Sequence, residues 1–95
     1  MIKGITEKEE SIIKKILAKY PYEFYYYGSR VNGDFTKSSD LDILIESATE
    51  IKQSDIENLE KEFNESLIPY RVNFSRRDRM EDYFYELIKD NLVKV

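Results

Sequence analysis

The stretch Tyr27-Gly28-Ser29-Arg30-Val31-Asn32-Gly33, followed by Ser38-Ser39-Asp40-Leu41-Asp42-Ile43-Leu44-Ile45, decides how the rest of the chain is read. The tyrosines before Gly28 suit a strand, and the Gly-Ser pair turns that strand into a short helical segment. Gly28 lets the backbone come close to a bound anion, Ser29 adds an amide and a hydroxyl, and a helix starting there aims its positive end at that anion. In a strand, successive side chains alternate between faces, so Asp40 and Asp42 share one face while Leu41, Ile43 and Ile45 take the other. Two like charges about 6 to 7 Å apart repel unless a cation lies between them, and a hard divalent ion such as magnesium suits carboxylate ligands. Polyphosphate on a turn and metal on carboxylates are the two halves of one magnesium-bound nucleoside triphosphate. Leu44 shares the aspartate face, so that face is expected to become buried farther along the strand.

Composition narrows the chemistry further. At 95 residues, 41% of them hydrophobic, the chain is long enough for one core and too short for two, so residues 1–95 are expected to form a single domain. It has no cysteine and no histidine, which excludes disulfides, thiolate zinc sites, cysteine nucleophiles and the usual general base. Oxygen ligands remain, and these suit magnesium, manganese or calcium. No apolar run approaches the roughly 20 residues needed to cross a bilayer, and the start Met1-Ile2-Lys3-Gly4 lacks a secretory stretch, so a cytoplasmic protein without a membrane partner is expected. A net charge of −4 argues against tight sequence-independent binding to nucleic acid, which enters only as a conceivable acceptor. Arg71, Arg76, Arg77 and Arg79 are interleaved with Asp78, Glu81 and Asp82, as in a solvated mixed-charge loop leading into a helix.

Outward from the central stretch, Thr6 and Glu9 form a capping box, and Ile12, Ile13, Ile16 and Leu17 predict a helix from about Glu7 to Lys19. Pro21 stops it, and Glu23 to Tyr27 follow as a strand. Ser29 to Phe35 read as a short helical turn in which Gly33 permits close packing or an unusual backbone angle, and Leu41 to Ile45 as a mostly buried strand. Ser54 and Glu57 suggest a second capping box, with Ile56, Leu59, Phe63 and Leu67 as the buried stripe of its helix. Tyr70, Val72 and Phe74 alternate with Arg71, Asn73 and Ser75, predicting a half-buried strand with one polar face. Met80 to Lys89 carries Tyr83, Phe84, Leu87 and Ile88 at helical spacing, and Leu92 to Val95 suit a short closing strand.

These residues carry a resemblance. The segment from Tyr27 to Ile45 resembles the signature of the minimal nucleotidyltransferases of the DNA polymerase β superfamily, and the order of elements fits across nearly the whole chain. The resemblance implies an α/β (α+β) polymerase-β-like fold, a small mixed sheet flanked by helices. It implies that Gly28 and Ser29 hold the triphosphate and that Asp40 and Asp42 bind metal, two magnesium ions in all, with ATP as the substrate. Arg30 matches the basic residue that often follows the Gly-Ser pair in antitoxin-like members, and Ser39 joins it as a phosphate-contact candidate. Transfer of adenylate to an acceptor hydroxyl is the implied reaction. The implied acceptor is a hydroxyl of a partner protein or of RNA, and the partner the resemblance implies is a separate helical HEPN-domain protein, often a toxin for which the nucleotidyltransferase is the antitoxin.

One departure divides the reading. The family's third carboxylate, on the polar face of a neighbouring strand, is matched here by Asn73, whose amide oxygen can ligate metal but cannot act as a base. An active transferase and a silenced nucleotide-binding or partner-binding module both remain open. Bland alternatives stand beside the other candidates: Arg30 pairs with a local carboxylate, Lys37, Ser38 and Ser39 form an ordinary polar loop, and Tyr25 to Tyr27 belong to the core or to a homodimer surface.

Overall fold

The structure, a computed structural model, describes residues 2–95. Helix α1 (Glu7–Leu17) is followed by strand β1 (Glu23–Tyr27), the one-turn helix α2 (Ser29–Asn32) and strand β2 (Leu41–Glu46). Helix α3 (Gln53–Asn64) leads to strand β3 (Val72–Arg76), a 3-10 turn (Arg77–Arg79), helix α4 (Asp82–Ile88), a second 3-10 turn (Lys89–Asn91) and strand β4 (Val93–Lys94). The strands form one mixed sheet in the order β3-β2-β1-β4. β1 runs antiparallel to both neighbours, whereas β2 and β3 are parallel and joined by α3, the crossover that a parallel pair requires.

The register gives the sheet two different faces. Tyr26, Ile43 and Phe74 form one cross-strand row, with Phe24, Ile45 and Arg76 in a row on the same side. Against them pack Ile13 and Leu17 of α1 and Ile56, Leu59 and Phe63 of α3, in the main apolar cluster. Burying each of these large side chains stabilises the fold by about 1.5–3 kcal/mol. The opposite face carries the rows Tyr27, Asp42, Asn73 and Tyr25, Leu44, Ser75, with α4 on that side, where Phe84 meets Tyr27 edge to face. Leu44 is fully buried, as the sequence pattern anticipated.

Boundaries follow local chemistry. The Thr6 hydroxyl accepts from the Glu9 N–H and the Glu9 carboxylate accepts from the Thr6 N–H, so the first capping box is present. The second is not. Helix α3 starts at Gln53 with no side-chain cap of its own, because the Tyr22 phenol reaches across, accepting from the Lys52 N–H and donating to the Asp55 carboxylate. Leu67, expected in the buried stripe, is 81% exposed, since α3 ends at Asn64 and the turn that follows buries Ile68 instead. Helix α4 is shorter than its apolar spacing suggests, and Tyr83 and Leu87 are each 70% exposed. Among the described residues no helix is long and apolar enough to cross a membrane.

Candidate active site

Gly28 adopts φ +85°, a backbone region open to glycine at little cost, and a Cβ on it would overlap Asp42 Oδ2. Glycine is therefore required twice, for its dihedral and for the room it leaves to a carboxylate. Its carbonyl accepts from the Val31 and Asn32 N–H groups at 3.0 Å each, which starts α2 immediately after the turn. At a helix start the first N–H groups have no intrahelical acceptor, which leaves those of Ser29 and Arg30 without one where α2 begins, next to the turn that packs on Asp42. Gly33 closes α2 at φ +91°, its N–H donating to the Ser29 carbonyl at 2.9 Å.

Both aspartates reach a common point. The Asn73 side-chain N–H₂ donates to Asp40 Oδ2 at 2.8 Å and to Asp42 Oδ1 at 3.4 Å, so one neutral amide bridges the two carboxylates. The register places Asn73 directly beside Asp42 on the parallel neighbour. Burial pushes the Asp42 carboxyl above its ordinary value, the hydrogen bond from Asn73 pulls it back, and the charge on Asp40 raises it again. A half-buried carboxylate disfavoured by its surroundings is one that a cation would relieve.

The residues present fit a hard divalent ion. Asp40 and Asp42 supply two carboxylates, Asn73 supplies an amide oxygen once its side chain turns over, and substrate oxygens and water complete such a shell. Among the described residues no cluster of three or more acidic, histidine or cysteine side chains is present, because the third position here is an amide.

Arg30 lies elsewhere than the sequence reading placed it. Its side chain is buried, 4% exposed, and engages backbone carbonyls rather than the open face of the site. Nε and Nη2 donate to the Ser39 carbonyl at 3.0 and 2.8 Å, Nη1 to the Gly4 carbonyl at 2.6 Å, and Nη2 also to the Lys37 carbonyl at 3.1 Å. The guanidinium stacks 3.7 Å from the centre of the Tyr70 ring. Among the described residues it pairs with no carboxylate, and its guanidinium is engaged by backbone carbonyls instead. Charge-assisted bonds to carbonyls offset its desolvation, and their effect is to clamp the loop 36–39 that delivers Asp40. Ser39 serves the same loop, its hydroxyl accepting from the Thr36 N–H at 2.9 Å.

Several contributors escaped the sequence reading. Gly4 donates its N–H to the Arg30 carbonyl at 3.0 Å, and a Cβ there would overlap the Arg30 side chain. Tyr70 donates to Glu9 at 2.9 Å, tying the Arg30 clamp to the cap of α1. Tyr27 stands beside Asp42 and hydrogen-bonds Ser75 at 2.8 Å, spanning the row occupied by Leu44, and burial raises its phenol above the ordinary value. Only Gly4 had a visible signal, as one of three glycines in the chain.

Gly28, Ser29, Asp40, Asp42 and the Asn73 position thus form one constellation at the ends of three adjacent strands. The sequence pattern of the family described as "Nucleotidyltransferase domain" matches residues 9–95. The chain belongs to this nucleotidyltransferase family. A relative described as "Probable protein adenylyltransferase MntA", from Haemophilus influenzae, is 33% identical over 93 residues, which cover 96% of this chain and 82% of the relative. Family membership agrees with the small mixed sheet and flanking helices and with a nucleoside triphosphate substrate.

Proposed function

We propose that this nucleotidyltransferase moves adenylate from ATP to a hydroxyl group of a partner protein and releases pyrophosphate. The observation that carries the reading is the contact between Gly28 and Asp42, which leaves no room for a Cβ and makes the phosphate turn and the carboxylate pair a single site. The relative described as a probable protein adenylyltransferase supports adenylate and a protein acceptor. Resemblance to the antitoxin-like minimal nucleotidyltransferases supports a helical HEPN-type toxin as that acceptor, with transfer as its neutralisation in the cytoplasm.

In this reading the turn Gly28-Ser29 binds the triphosphate through backbone N–H groups and the Ser29 hydroxyl. Asp40 and Asp42 would hold magnesium, two ions in the full site, and the metal would supply charge neutralisation for the triphosphate and the departing pyrophosphate. The acceptor oxygen forms a bond to the α-phosphorus as the bond from that phosphorus to the bridging oxygen breaks. Asn73 cannot take the hydroxyl proton, so that proton leaves to solvent across the open face of the site. Tyr27 and the Arg30 clamp keep the carboxylates in register with the turn.

A specific observation favours a second reading, a nucleotide-binding module without transfer. The Asn73 amide donates to the same two carboxylates that would hold the metal, so a neutral side chain already engages both of them. Label transfer from ATP carrying a labelled α-phosphate, with magnesium and a lysate as acceptor, separates the two. Label from the chain itself, lost in Asp42→Asn, supports the transferase. Label only from Asn73→Asp supports the silenced module, and silence from both while ATP still binds removes the transferase reading.

A further inference from the structure

Strands β3 and β4 form the two edges of the sheet, and they are finished differently. β4 has two residues, and Lys94 covers it with an ion pair to Glu23 and a position over the Tyr25 ring. Short length and lysine are the usual means of protecting an edge from further pairing. β3 has five residues, Val-Asn-Phe-Ser-Arg, with no proline and no lysine.

The parallel register shows which of its backbone groups are open. The Leu41 N–H donates to the Arg71 carbonyl at 2.8 Å, and Asp42 lies beside Asn73, so the odd-numbered residues of β3 turn their N–H and C=O toward β2. Those of Val72, Phe74 and Arg76 therefore point outward. Among the described residues β3 pairs with β2 alone, so the outward N–H and C=O of Val72 and Phe74 and the outward N–H of Arg76 join no strand ladder, while the Arg76 carbonyl caps the 3-10 turn that follows. A groove of about 530 Å³ straddles this edge, walled by Ile56 of α3 on one side and by Met80, Tyr83 and Phe84 on the other. At the other end of the same edge lies a second depression of about 390 Å³, beside Phe63, Pro69 and Arg71.

We infer that the open edge of β3 is the docking site for the acceptor, an extended polypeptide segment carrying a tyrosine, which joins the sheet as a fifth strand. The inference rests on the reading of the chain as a protein-modifying transferase and adds how the acceptor is held. Alternating outward N–H and C=O groups match the backbone of a strand and no other common ligand. A strand added there lies about 4.8 Å from β3, and its alternate side chains fall on the face that holds Asn73, roughly 5 Å from it. Asn73 itself lies 2.8 Å from Asp40. A tyrosine opposite Asn73 is long enough to cross it toward the carboxylates. The side chains of the other phase meet Ile56 and Phe74, which gives the segment an apolar anchor.

The test uses the full chain, isotope-labelled for amide NMR, and a ten-residue peptide with one central tyrosine, flanking β-branched residues and terminal lysines. Two further peptides are N-methylated at alternate positions, one in each phase. The expected result is peptide-dependent shifts and slowed exchange at the Val72, Phe74 and Arg76 amides, abolished by methylation in one phase and retained in the other. Arg76→Pro removes one outward N–H and should weaken peptide binding and label transfer to the peptide about tenfold, the effect of losing roughly 1.4 kcal/mol. Arg76→Ala, which loses the same side-chain contact to Asp78, should not. Magnesium-dependent ATP binding, read by thermal shift, should be unchanged in both variants. Equal sensitivity to the two methylation phases, shifts confined to β4 or α4, self-association through β3 without peptide binding, or no shifts at about 1 mM peptide would each overturn the inference. Loss of ATP binding in the unaltered chain would instead overturn the transferase reading.

Discussion

The two faces of one sheet are built to different standards in this protein. On one, α1 and α3 seal Ile13, Leu41, Ile43, Ile45 and Leu59 completely from solvent. On the other, α4 buries none of its own residues and leaves Tyr83 and Leu87 largely exposed while its Phe84 touches Tyr27. The first face provides most of the apolar stabilisation. The second holds two carboxylates within reach of one amide, an arrangement that is unfavourable without a cation. Stability and chemistry are therefore separated by the thickness of a single strand, and β2 serves both, with Leu41, Ile43 and Ile45 facing the core and Asp42 facing the site.

Substitutions should expose that separation. The largest effect is expected from Asp42→Ala, which should lower adenylate transfer about 10³-fold, a loss of roughly 4 kcal/mol of transition-state stabilisation, without lowering the thermal midpoint of the metal-free protein. Leu59→Ala should do the reverse. It should reduce stability by about 2–5 kcal/mol in urea unfolding while the folded fraction keeps its transfer rate. Gly28→Ala breaks both sides of the comparison, because its strained φ and the overlap with Asp42 should cost about 1–3 kcal/mol and also weaken ATP binding in calorimetry.

A pH experiment sharpens the contrast on the site face. The folded-state value of Asp42 is raised, so its contribution favours the native state at low pH and is lost as pH rises through that value. Metal-free Asp42→Asn should therefore be more stable than the parent chain near neutrality, with the gap shrinking as pH falls through the carboxylate range. A gap that widens on acidification would reverse the assigned sign. The smallest effect is expected from Leu87→Ser on the exposed side of α4, within about 0.5 kcal/mol of the parent in the same urea measurement.

Much of the fold was legible because local patterns matched local structure. β1 runs from Glu23 to Tyr27 as read, and the Thr6–Glu9 capping box opens α1 where expected. The apparent box at Ser54 and Glu57 misled because Tyr22, some thirty residues away in sequence, supplies the cap instead. Leu67 and Leu87 misled because helical spacing predicts a shared face but not whether anything lies against it. In the site, alternation along β2 was enough to pair Asp40 with Asp42 and to foresee the burial of Leu44.

What the residues determined alone was whatever is short-ranged: the turn at Gly28, the shared face of the aspartates, and the exclusion of thiol and imidazole chemistry. Tertiary structure decided the rest. Only the packed fold shows that Gly28 lies against Asp42, that Asn73 bridges both carboxylates, and that Arg30 turns inward to clamp the loop bearing Asp40. The physical reason is reach. Dihedral preference and side-chain alternation are set within a few residues, whereas burial, charge pairing and an open strand edge depend on groups brought together from distant parts of the chain.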